Sequence, residues 1–237
     1  DEGLRAHMLR VYNYMGIGLV VTGIVAFLAN MMAVTADPSA AAAQLADGTY
    51  LTGWGVLLYT SPLMWVVALS PLAFVLVLSF GINRLSFGAA QATFWGFAAL
   101  MGLSLSSIFL VYTDASIAKV FFITAATFGA MSLWGYTTKR DLTAMGSFLM
   151  MGLIGLIIAM VVNIFLASSA LEFAISAIGV LIFVGLTAYD TQKIKEAYVE
   201  NMEAEGLGKL AIMGALSLYL DFINLFMMLL RLFGKRE

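Results

Sequence analysis

An all-α membrane protein, a bundle of seven transmembrane helices, is the fold class this sequence predicts, and three observations carry the prediction. The chain is 62% hydrophobic and 11% charged over 237 residues, whereas about a quarter of the residues in an ordinary soluble domain are charged. Its mean hydropathy is +0.97. The apolar residues come in runs of roughly 20, the length that crosses a ~30 Å hydrocarbon core as a helix. Each such run satisfies its backbone N–H and C=O groups internally, which lipid demands. A single domain over residues 1–237 is expected.

The spans fall at about 11–34, 61–82, 89–112, 116–136, 146–167, 171–192 and 210–230. The first belongs to the bundle rather than to a signal peptide, because it is long and no A-x-A-like cleavage site leads into a soluble region. The connection from Thr35 to Thr60 is rich in Ala, Gly and Asp, with Trp54 and Tyr59 where the chain returns to the membrane surface. An exposed loop with one short surface helix is expected there. The connection from Lys193 to Gly208 carries Lys193, Lys195, Glu196, Glu200, Glu203 and Glu205, and is expected to continue the sixth helix beyond the lipid. Gly16 with Gly23, Gly102 with Ser106, and Gly152 with Gly155 lie near helical spacing and would let helices approach closely, although glycine is frequent in membrane helices generally. The fifteen methionines suit a deformable core. No strong internal repeat is visible.

Loop charge sets the orientation. With the N-terminus in the cytoplasm, that side receives Arg5, Arg10, Arg84, Lys139, Arg140, Lys193, Lys195 and Lys209, while the outer loops hold Lys119. Seven full crossings then put Arg231, Lys235 and Arg236 outside, against the same rule. Either the last segment spans against its charges or it is re-entrant. Its length favours a full span.

Net charge is −2 and the pI about 5.4, so no basic surface exists to recruit nucleic acid. The absence of cysteine removes disulfides, iron–sulfur clusters and thiol catalysis. His7 is the single histidine, which excludes a histidine metal cluster or a histidine-based triad within one chain.

Of the fourteen acids, most fall in loops or tails and Glu172 lies at a helix edge. Two lie inside predicted spans: Asp190 in LTAYDTQKIK and Asp221 in LSLYLDFINLF. A carboxylate at membrane depth costs about 2.5–3.5 kcal/mol on insertion scales unless it is paired, protonated or wetted. Both are therefore candidate functional residues. Asp190 also stands close enough to Lys193 to reach the headgroups as an ordinary snorkelling residue. Asp221 has no such exit and should face a cavity or a polar partner, with Tyr219 and Asn224 nearby.

If the two face each other, repulsion opposes ionising both, so they should share a proton and titrate as one coupled pair near neutral pH. Ionised, the pair offers hard oxygen ligands to Ca²⁺; protonated, it offers none. Loop anchoring raises one difficulty, since it places Asp221 about 13 Å deeper than Asp190. Pairing needs an extended sixth helix, a late-starting seventh or a wet vestibule. Arg84, in INRLS at the end of the second segment, is the third candidate: its permanent charge could latch an ionised aspartate, or it is an ordinary positive-inside arginine. Lys139, Arg140 and Asp141 in TTKRDL read as a cytoplasmic loop network.

Three stretches together resemble the transmembrane Bax inhibitor motif family, specifically its bacterial members: GYTTKRDLTAMGSFLMMGLIGLIIAMVVNIFL at 135–166, LTAYDTQKIK at 186–195 and ALSLYLDFINLFMMLLRLFG at 215–234. The likeness covers nearly the whole chain. It implies a seven-helix bundle with a central last helix, a multi-pass protein of the cell (inner) membrane, a cytoplasm-side aspartate pair at Asp190 and Asp221, and a pH-sensitive calcium leak. Arg84 falls near the position of an arginine that interacts with that pair. Some bacterial relatives look like modulators of a membrane protease.

The expected function is therefore a pH-sensitive calcium leak without enzymatic activity. Asp190, Asp221 and Arg84 would be its sensor and gate, with Asp190 and Asp221 touching the ion. Ca²⁺ is the ligand or permeant ion, no other cofactor is expected, and the bilayer is the constant partner. The alternative is a non-conducting regulator that binds another membrane protein such as a membrane protease, through the N-terminal tail or the 193–208 connection. An intramembrane aspartyl protease fits poorly, because LYLD lacks a glycine-flanked GxGD context.

Overall fold

The computed structural model describes every residue from Asp1 to Glu237. Its helices are α1 (Glu2–Ala33), α2 (Gly53–Tyr59), α3 (Leu63–Gly81), α4 (Phe87–Leu105), α5 (Ile108–Val111), α6 (Asp114–Thr137), α7 (Thr143–Leu166), α8 (Ser169–Ala197) and α9 (Ala204–Phe233). Seven are long and apolar enough to cross a membrane, with α4 and α5 counting as one span over Phe87–Val111. The all-α, seven-span expectation holds.

The polar residues between apolar runs start the helices. Thr52, Ser86, Thr113 and Ser168 each cap the helix that follows by accepting a backbone N–H, which satisfies donors that the first turn leaves orphaned. Asp141 does the same for α7, accepting from the Thr143 N–H at 3.0 Å and from its hydroxyl at 2.6 Å.

Several boundaries move from their predicted places. The first helix begins about nine residues early, because Asp1 Oδ1 accepts the N–H groups of Gly3 and Leu4 and Met8 and Val11 are buried. The third predicted span is interrupted after Leu105, where buried Ser106 donates to the Leu103 carbonyl and receives the Tyr59 hydroxyl. The 35–60 connection holds more order than an exposed loop. It contains β1 (Val34–Thr35), β2 (Ala43–Gln44) and β3 (Tyr50–Leu51), antiparallel in the order β1-β3-β2, followed by α2. As expected, α8 continues past the apolar run, to Ala197.

The chain folds as two compact units: residues 1–12, 112–202 and 214–236 form one, and residues 13–111, 203–213 and 237 the other. In the second, Gly102 lies so close to α1 that a Cβ would fall 2.5 Å from the Thr22 carbonyl oxygen, so this predicted contact is present. The other glycines divide. Gly152 faces α8, where a Cβ would lie a tight 3.3 Å from Ile182, whereas Gly16, Gly23 and Gly155 have nothing within 4 Å. The spacing of those three is helical, but they meet no neighbouring helix.

The last helix is the most enclosed of the seven, with 72% of its most apolar stretch buried, against 6% for α7. Tyr219, Leu218, Leu225 and Leu230 are fully buried. The exposed Phe148, Met151, Ile154 and Phe165 of α7 are the side chains of a lipid-facing helix. The burial of α9 agrees with the central last helix implied by the family resemblance.

Of the three basic residues at the end of α9 and after it, Arg236 alone has an ion pair. Arg236 pairs with Glu172 on the first turn of α8 at 3.6 Å and lies over the Tyr112 ring. The Lys235 N–H donates to Ser116 Oγ at 2.7 Å, and its carbonyl accepts the Thr113 N–H. At the far end of α8, Gly3 and His7 of α1 lie against Tyr198. The two chain ends therefore sit at opposite ends of α8, and α9 spans without a break. A reporter fused after Glu237 is expected to read extracytoplasmic, and one fused before Asp1 cytoplasmic; two cytoplasmic readings would restore the re-entrant alternative.

Candidate functional site

The site is built around residues 187–192 of α8, which α6, α7 and their connection grip closely. A Cβ at Gly135 of α6 would lie 2.3 Å from the Ala188 carbonyl oxygen, and one at Gly146 of α7 would lie 2.4 Å from the Tyr189 ring. Both glycines are thus places where only hydrogen fits between two helices. Buried Gln192 accepts the Leu142 N–H at 2.9 Å and donates to the Arg140 carbonyl at 2.7 Å. Lys195 donates to the Tyr136 carbonyl at 2.8 Å and stands over the Tyr136 ring. The predicted TTKRDL network is therefore anchored from α8 by backbone bonds, while Lys139 and Arg140 remain exposed.

Asp190 and Asp221 meet. Their carboxyl groups lie within hydrogen-bonding reach of each other, an arrangement that forms a bond only when one of them carries a proton. Asp221 is buried at 5% exposure, whereas Asp190 is half-buried. Asp221 Oδ2 has no hydrogen-bond partner. Lys193 acts electrostatically on Asp190, so the residue has both neighbours that the sequence offered it.

The expected depth mismatch disappears because α9 starts well beyond the end of α8. Gly214 abuts Ile194. From that contact Asp190 lies four residues along α8 and Asp221 seven along α9, or about 6 Å and 10.5 Å at 1.5 Å per residue. The remaining ~4.5 Å is less than one turn, and two side chains span it. Lys209, taken as a level marker in the sequence, lies about 7.5 Å farther out along α9 than Gly214.

The polar company expected for Asp221 is partly corrected. Asn224 turns back to donate to the Leu220 carbonyl of its own helix at 2.8 Å. What surrounds this stretch instead is aromatic: Phe222 contacts Phe121 and Phe128 of α6 at 5.4 and 5.5 Å between ring centroids, and Phe226 contacts Phe121. Sequence reasoning missed this cluster, since aromatic residues in an apolar helix carry no signal of which neighbour they will meet. Arg84 lies in the turn between α3 and α4, in the other unit, with its side chain exposed and free of any ion pair. No three His, Cys, Asp or Glu side chains gather as a metal site. Two carboxylates alone fall short of the 6–8 oxygens that Ca²⁺ takes.

A family profile described as inhibitor of apoptosis-promoting Bax1 matches residues 4–237. The chain belongs to the Bax inhibitor family. It is 48% identical over 237 residues to an uncharacterized protein of Rickettsia prowazekii, covering 100% of this chain and 92% of that one. It is 47% identical over 238 residues to the inner membrane protein YbhL of Escherichia coli, covering 99% and 94%. An uncharacterized protein of Deinococcus radiodurans is 42% identical over 236 residues, covering 100% and 93%. The multi-pass inner-membrane assignment stands on YbhL and on the seven spans together. Within this family frame, the three stretches that carried the resemblance are the end of α6 with α7, the gripped part of α8, and α9.

The grip on α8 is open to measurement. Gly135→Ala is expected to destabilise the protein by about 1–3 kcal/mol through overpacking. Gln192→Ala should cost about 1–3 kcal/mol by stranding the Leu142 N–H. Gly155→Ala, facing open space, should leave the thermal midpoint in detergent within error of wild type.

Proposed function

We propose that this chain is a passive calcium leak of the inner membrane whose conduction is set by the protonation of the Asp190–Asp221 pair. The single observation that carries the reading is the meeting of two carboxyls from two spanning helices, one of them buried with an unpartnered oxygen. With a proton between them the pair is singly charged and partly self-satisfied. Once that proton leaves, two negative charges share a low-dielectric site and require a counter-cation. Ca²⁺ is a hard cation suited to carboxylate oxygens, and the small ligand number means it is attracted without being retained. A conducting site needs that balance. The chain is read as a non-enzyme, with Ca²⁺ as its permeant ion and the bilayer as its surroundings.

Calcium flux into liposomes carrying the full chain, followed from about pH 6 to pH 8, tests the proposal. Wild-type flux is expected to rise several-fold with pH as the pair ionises. The Asp190→Asn, Asp221→Asn double variant should be flat across that range. Asp141→Asn serves as the control. Hydrogen bonds from the Thr143 hydroxyl and then its N–H hold the Asp141 carboxyl below the usual carboxylate range, so it stays ionised throughout the window. A double variant that retains both the flux and its pH dependence would end the proposal.

A further inference from the structure

Three hydroxyls from three helices form a continuous chain beside the aspartate pair. Tyr12 on α1 lies 2.5 Å from Ser132 Oγ on α6, Ser132 Oγ lies 2.7 Å from Thr191 Oγ1 on α8, and Thr191 donates to the Thr187 carbonyl at 2.7 Å. Ser132, Thr191 and Thr187 are buried. Each hydroxyl has one proton to give. Since the Thr191 proton is committed to Thr187, Ser132 must donate to Thr191 and Tyr12 must donate to Ser132. The chain therefore has a fixed polarity, and it ends on a backbone carbonyl rather than on a carboxyl. It is not built to hand a proton to Asp190.

What it can do is fix an angle. The glycine contacts at Ala188 and Tyr189 bring helices close, but apolar contact is non-directional and tolerates rotation, whereas hydrogen bonds do not. Thr191 follows Asp190 by about 100° around the helix, so a rotation that broke the Thr191 bond would swing Asp190 as well. The same helix α1 braces α8 at a second level, where the His7 ring lies 5.4 Å from that of Tyr198.

We propose that Tyr12, Ser132 and Thr191 are positioning residues of the aspartate pair, holding α8 in the rotation that presents Asp190 to Asp221. The inference rests on reading those two aspartates as the functional pair. The charged groups acting on Asp190 are Asp221 from α9 and Lys193 from α8; the hydroxyls brought by α1 and α6 are neutral. Removing a link loosens α8, lets the carboxyls separate, weakens their repulsion and admits water. The hydrogen bond between them is then lost.

The test uses the full chain in lipid vesicles and the infrared carbonyl band of protonated carboxyl groups, assigned to the pair by its loss in Asp221→Asn. At one fixed pH at which wild type shows that band, Tyr12→Phe and Ser132→Ala are expected to move it toward the frequency of a carboxyl group with no carboxylate partner. Ser132→Thr and Thr191→Ser keep the hydroxyl and should leave the band where wild type has it. If Ser132→Ala fails to fold, Tyr12→Phe, which keeps its ring at a half-buried position, decides alone. A Tyr12→Phe band that superimposes on wild type overturns the inference. A band that moves in vesicles passing no calcium upholds the positioning role and defeats the calcium reading instead.

Discussion

A carboxyl group carried into hydrocarbon must be protonated, paired or wetted, because leaving it charged and alone costs several kcal/mol. Asp221 meets that demand through a second carboxyl rather than through a cation, and much of the surrounding structure follows from that choice. A carboxyl partner can satisfy Asp221 only while a proton lies between them, so the contact is inherently conditional. It also requires that two helices hold two short side chains in register across a gap of less than one helical turn. Short side chains leave little slack, so α8 and α9 must be fixed in depth and in rotation.

Depth is set by the way the chain turns between them. Because α9 begins well outside the level at which α8 ends, its seventeenth residue after Ala204 comes level with a residue only seven before Ala197. Rotation is set by contacts around α8. Successive residues of a helix point about 100° apart, so Ala188 to Gln192 sample the full circumference. Ala188 accommodates Gly135, Tyr189 covers Gly146, Asp190 faces Asp221, Thr191 bonds Ser132, and Gln192 holds Leu142 and Arg140. None of these five residues is exposed, so this stretch of α8 is held from every side.

The sequence made some of this legible and hid the rest for physical reasons. Spans could be read because lipid imposes length and polarity on every segment, and the two aspartates stood out because charge is rare there. Their separation was misjudged because Lys193 and Lys209 were treated as markers of one level, although charged residues snorkel and helices overrun the lipid. Glycine spacing identified Gly102 but also Gly16, Gly23 and Gly155, since a helical repeat says which residues share a face and nothing about whether that face meets a helix or lipid. Asn224 was assigned to Asp221 by proximity along the chain, whereas its amide found a nearer acceptor in its own helix. The hydroxyl chain carried no sequence signal, because Tyr12, Ser132 and Thr191 come from three distant segments.

The outer end of α9 obeys the same economy of charge as its middle. Arg231, Lys235 and Arg236 defy the positive-inside tendency, yet that tendency is a bias of short loops and not a prohibition. Here Arg236 has Glu172 and the Tyr112 ring, and the backbone of Lys235 bonds Ser116 and Thr113. These contacts tie the end of α9 to the starts of α6 and α8, the helices that carry Ser132 and Asp190. The helix bearing Asp221 is thereby fastened at its outer end to the two partners that, near its middle, must keep their alignment with it. A re-entrant last segment would lose that fastening and, with it, the geometry that lets two carboxyls share one proton.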